Sequence, residues 1–102
     1  MLTELTEQVT NHTSIMGCDL LLTCHACPEQ YDVFLEGTQI GYLRLRHGSF
    51  AVSYPDIGGA LVYQAYPKGD GYFYEEEREH YLIHAIEALL QYKNTLEDAS
   101  QS

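Results

Sequence analysis

The chain has 102 residues, 45% of them hydrophobic and 20% charged, which leaves room for one domain with one core and excludes a wholly disordered or fibrous chain. Fifteen acidic residues against five basic ones give a net charge of −10, which repels phosphate backbones and anionic lipid, so neither duplex nucleic-acid binding nor membrane-surface binding is expected. Apolar runs such as Leu20 to Leu22 fall far short of the roughly 18 residues of a membrane span, and Met1-Leu-Thr-Glu offers neither a basic start nor an apolar signal core, so the expected location is the cytoplasm.

Leu2, Leu5 and Val9 have loose helical spacing that Asn11-His12-Thr13-Ser14 interrupts, so residues 1–18 read as a flexible arm. Leu20 to Cys24 reads as a short buried strand ended by Cys27-Pro28. Four clearer strands follow, at Tyr31 to Glu36, Ile40 to Arg46, Ser49 to Tyr54 and Ala60 to Tyr66. They are separated by Gly37-Thr-Gln, His47-Gly48, Pro55 to Gly59 and Pro67 to Gly71, a meander of hairpins in which His47-Gly48 is the sharpest punctuation. A helix is expected from about Glu75 to Lys93. Leu82, Ile83, Ala85, Ile86, Leu89 and Leu90 share one face of it, and Glu76, His80, His84, Glu87 and Gln91 the other. Residues 95–102 read as a loose tail. The expected fold is a single α+β domain over 1–102: an antiparallel meander of four to five strands with one C-terminal amphipathic helix packed on one face.

Several constellations could carry chemistry. Cys24-His25-Ala26-Cys27, with Cys18 and His12 upstream, offers ligands for zinc, but only one of the two usual knuckles is present, and cysteines at a strand end serve equally as small apolar residues. Three cysteines cannot all pair within one chain, and a reducing compartment argues against a disulfide framework. His80 and His84 stand four apart on the helix and could chelate a metal, yet Tyr81 occupies the position where a metalloprotease helix needs its glutamate. The bland reading is two exposed histidines beside carboxylates. Pro67-Lys68-Gly69-Asp70-Gly71 lacks the ending of a phosphate loop, and the carboxylates of Glu75 to Glu77 fill the anion site at the helix start, so it reads as a structural turn. Ser49 and Ser53 have no evident base, and no enzyme or cofactor is expected.

The sheet is rich in tyrosine. If Leu43 and Leu45 face the helix, Tyr42, Arg44 and Arg46 face the other way. On the neighbouring Ala60 to Tyr66 strand, Leu61, Tyr63 and Ala65 would be inward, and Gln64 and Tyr66 outward. With Lys68 and Arg78 near its edge, this second face could take a planar anion such as a nucleotide. The competing reading pairs Arg44 and Arg46 across strands with Asp32 and Glu36 and needs no ligand. Glu75, Glu76, Glu77 and Glu87 form an acidic surface that suits a basic partner.

Pro28-Glu-Gln-Tyr-Asp-Val-Phe34, Gly41-Tyr-Leu-Arg-Leu-Arg-His-Gly48, Tyr54-Pro-Asp56 with Gly58-Gly59, and Lys68-Gly-Asp-Gly-Tyr-Phe73 resemble a group of small proteins encoded in phage and bacterial genomes, over about residues 28–92. That group has no established activity, so the resemblance implies a phage setting, hence a host cytoplasm, and transfers no catalytic residue. The expected function is a non-enzymatic acidic binding protein that engages a host protein stoichiometrically, as an inhibitor or anti-defence factor. The alternatives are a binder or sponge of a small anionic ligand on the Tyr and Arg face, and a small zinc module. Apolar and aromatic surface left on the second sheet face implies a homodimer.

Overall fold

Three X-Gly pairs set the sheet. Met16-Gly17 (φ 53° and 82°), Glu36-Gly37 (51° and 84°) and His47-Gly48 (54° and 73°) all have both residues in the left-handed region, as a type I′ turn requires; its twist matches that of the strands it joins. In the computed structural model, which describes residues 12–24 and 28–101, these turns connect β1 (His12–Ile15) to β2 (Cys18–Cys24), β3 (Glu29–Leu35) to β4 (Thr38–Arg46), and β4 to β5 (Ser49–Tyr54). β6 (Ala60–Ala65) and α1 (Glu75–Gln101) complete the chain. The sheet is a six-stranded antiparallel meander in sequence order. The fold is α+β as expected, with one strand more than the expected range. The addition is β1: residues 12–18, read as part of an arm, form the first hairpin, because Met16-Gly17 is the same kind of turn as His47-Gly48. Residues 1–11 of that expected arm lie outside the described residues.

Alternation along the strands sends Leu20, Val33, Leu43, Leu45, Phe50 and Val52 to one face, where they are buried against Phe73 and the helix residues Leu82, Ala85, Ile86 and Leu89. At Gly41 the helix comes close to the sheet, since a Cβ there would lie 2.4 Å from Leu89 Cδ1. The helix runs through Gln101, past the expected end near Lys93 and into the expected loose tail. Lys93 pairs with Glu97 one turn on, and the Thr95 hydroxyl donates to the Gln91 carbonyl (3.0 Å), so the last turns carry their own local support. Among the described residues no helix is long and apolar enough to cross a membrane.

Two devices fix the helix start. The Tyr74 N–H donates to the Glu77 carboxylate (3.0 Å), one half of a capping box, and the same carboxylate accepts the N–H groups of Lys68 (2.9 Å) and Gly69 (2.8 Å). Burial opposes the charge on Glu77, but these three donors and the Lys68 charge outweigh it and hold its carboxyl below the usual range. The 67–71 loop is therefore a structural turn whose Lys68 and Gly69 N–H groups are spent on a side chain of the helix. The second device is a buried ion pair. Glu29, 2% exposed, sits at an inward position of β3. It accepts Arg78 Nε (2.9 Å) and Nη2 (3.2 Å), the Tyr31 hydroxyl (2.5 Å) and the Phe73 N–H (3.0 Å). Arg78 also binds Glu75 and donates to the Phe73 carbonyl (3.2 Å). Every oxygen and the guanidinium are satisfied, which makes burial of the pair tolerable. Burial and then Glu29 push the Tyr31 hydroxyl far above its ordinary value. Arg78, expected near the edge of the second face, belongs to this inner side.

Candidate functional site

The opposite face of the sheet has no described element over it; the helix packs on the inner side against β4, β5 and β6. Its side chains follow from register. One row crosses all six strands as His12, Leu21, Asp32, Tyr42, Ser53 and Leu61. A second runs Cys24, Gln30, Arg44, Ala51 and Gln64, and Arg46 lies opposite Ser49. Alternation thus brings Tyr42, Arg44 and Arg46 to one open surface, as the sequence predicts.

The cross-strand ion pairs that would have occupied this surface do not form. Asp32 receives the Gln39 amide (3.4 Å), which also reaches Asp56 (3.0 Å), and burial first, then the Asp56 charge, raise the Asp32 carboxyl. The Gln30 side chain is taken by the Tyr42 hydroxyl (2.5 Å). Glu36 sits in the β3–β4 turn. Of the basic residues, Arg78 and Lys93 are bound to carboxylates, whereas Arg44, Arg46 and Lys68 make no ion pair among the described residues. Arg44 Nε is buried between its neighbours and has no hydrogen-bond partner, a state that costs free energy.

The remaining predicted residues disperse. Tyr66, 73% exposed, stands one residue past β6 at the Arg46 end of the sheet. Lys68 lies in the loop that binds Glu77. Near Arg46 a groove of about 330 Å³ is lined by His47, Asp70 and Gly71, so a carboxylate shares it. The acidic patch is partly spent: Glu75 binds Arg78 and Glu77 caps the helix, while Glu76 and Glu87 stay exposed. His80 and His84 lie side by side on the exposed helix face, ring centroids 4.4 Å apart and planes tilted by 48°, with Glu87 Oε1 4.0 Å from His84 Nδ1. Cys18 is buried in the core, and burial raises its thiol above the ordinary value. The irregularity between Leu22 and Cys24 sets Cys24 opposite Gln30, in the row of Arg44 on the other face. His12 bonds Asp19 (3.2 Å). Cys18, Cys24 and His12 do not converge, and among the described residues no group of three or more such side chains could hold a metal. Cys27 lies outside the described residues.

One inward assignment is reversed. Leu61 is 58% exposed, because the register shifts between Val52 and Ser53, spending Val62 as the extra residue and pairing Leu61 with Ser53 rather than with an inward position. Tyr63 keeps its place opposite Val52 and Ala65 opposite Phe50.

Sequence reasoning missed Glu29 and set its partner Arg78 beside the wrong face. Period-two counting back from Val33 and Tyr31 already puts Glu29 inward; nothing local indicates which cation meets it 49 residues later. Compared with known proteins, the chain matches no family model, no curated protein and no solved structure.

Proposed function

We propose that this chain is a non-enzymatic binding protein that acts by covering the open face of its sheet with the surface of another protein. The observation that carries the reading is Arg44: a guanidinium whose Nε is buried and unsatisfied, beside a second unpaired arginine, on a face that no described element occupies. The face mixes Tyr42 and Leu21 with both arginines and with Asp32. Tyrosine and arginine are the residue types enriched where protein surfaces meet, and charges of both signs suit a protein partner with its own acidic and basic groups. A small anion such as a nucleotide fits less well, because Asp32 stands in the next row and Asp70 lines the groove beside Arg46. The finer reading, a phage-encoded inhibitor or anti-defence factor that engages a host protein in the cytoplasm, rests on the sequence resemblance.

The test compares capture of proteins from a bacterial lysate by the wild-type chain and by Arg44→Ala/Arg46→Ala. A protein retained stoichiometrically by the first and released by the second is the expected result. Capture indifferent to both substitutions, or thermal stabilisation by a nucleotide that the double variant loses, would overturn the reading in favour of another surface or of the small-anion alternative.

A further inference from the structure

The two edges of the sheet differ. β1 is four residues long and its neighbourhood is charged, with His12 and Ser14 bound to Asp19. β6 has six residues and reads Ala-Leu-Val-Tyr-Gln-Ala. No acidic or basic residue occurs from Ile57 through Pro67, and the outer row of backbone N–H and C=O groups on β6 has no strand beside it among the described residues. Edge strands are ordinarily blunted by charge, proline or shortness, because an open edge is a template for another strand. β6 has six residues and neither charge nor proline, and its one guard is the bulge at Val62. The register shift at Val62 twists it without adding charge.

Exposed apolar residues gather here as well. Ile57 (64% exposed), Leu61 and Tyr66 flank or belong to β6. A groove of about 330 Å³ between the strand and the helix is lined by Leu61, Val62, Ala88, Gln91, Tyr92 and Thr95.

We infer that the β6 edge is the site at which two copies of this chain join, β6 pairing antiparallel with its equivalent about a two-fold axis. Charge selects the occupant. Copies with net charge −10 repel at most approaches, and the Ile57–Pro67 stretch lets them meet with no like charges opposed in the strand pair. Identical antiparallel strands satisfy one another's open edge in a closed, self-complementary contact. The two-fold places both helices on one side of a continuous sheet, buries the grooves between strand and helix on that side, and leaves the Arg44 faces side by side on the other. The inference therefore does not rest on the binding role of that face.

Sedimentation equilibrium tests it. The wild-type chain is expected at twice 11.6 kDa in the micromolar range, with association strengthened by added salt as repulsion is screened. Leu61→Glu, at an exposed position, is expected to be monomeric with an unchanged circular dichroism spectrum, while Arg44→Ala/Arg46→Ala stays dimeric. Amide exchange in β6 is expected to slow as wild-type concentration rises, a readout that needs no variant. A wild-type chain that stays monomeric at the highest soluble concentration, a dimer that survives Leu61→Glu, or β6 amides whose exchange ignores concentration would overturn the inference. So would protection of β6 only by a different protein.

Discussion

The two faces of the sheet use the same chemistry to opposite ends. On the inner face Arg78 meets Glu29, with Tyr31 and the Phe73 backbone completing the carboxylate's hydrogen bonds, and the result ties the helix start to β3. On the outer face Arg44 stands one row from Asp32 and near Tyr42, yet Asp32 is held by Gln39 and the Tyr42 hydroxyl is spent on Gln30. A charge whose partners are all internal stabilises the fold and has little left to offer a ligand. A charge whose neighbours are engaged elsewhere stays available for recognition.

That contrast can be broken most directly by removing one arginine from each side. Arg78→Met strands the Glu29 carboxylate in the core and is expected to cost about 3 kcal/mol in urea unfolding. Arg44→Met, the same change on the open face, is expected to cost less than about 0.5 kcal/mol. Equal losses would erase the distinction between the faces.

Packing sharpens it next. Gly41→Val drives a side chain into Leu89 and is expected to cost about 2 kcal/mol through overpacking. Ala51→Val, in the Arg44 row of the uncovered face, is expected to leave the melting temperature nearly unchanged. Thermal denaturation of the two variants side by side checks this.

The smallest loss expected among the inner-side changes concerns the helix cap, which belongs to the inner architecture but lies near solvent. Glu77→Ala is expected to cost about 1 kcal/mol, the usual scale for a lost cap. Because the Glu77 carboxyl is held below its ordinary value in the folded chain, the folded state binds its proton less readily than the unfolded state. Its contribution is therefore fully present above the ordinary carboxylate range and fades as pH falls through the depressed value. Melting curves from neutral pH into the acid range should show the wild type losing stability toward the Glu77→Ala variant. A gap that stays constant with pH would mean that the cap does not depend on the carboxylate charge.

Much of this was legible in the sequence. The hairpin at His47-Gly48, the inward Leu43 and Leu45, the outward Tyr42, Arg44 and Arg46, and the helix face of Leu82, Ala85, Ile86 and Leu89 all follow from local periodicity and turn chemistry. Met16-Gly17 and Glu36-Gly37 carried the same signal, and giving them equal weight would have placed β1 and the β3–β4 turn correctly.

Sequence by itself determined the α+β class and which side of most strands is greasy, because side-chain alternation and left-handed turn residues act over a few positions. Only the tertiary structure decided that Glu29 is matched by Arg78, that Asp32 bonds to Gln39 instead of an arginine, and that a one-residue slip against β5 turns Leu61 outward. Pairing and register are settled by which strands lie side by side and by which donor arrives first. Those are contests between residues far apart along the chain, and no local pattern records their outcome.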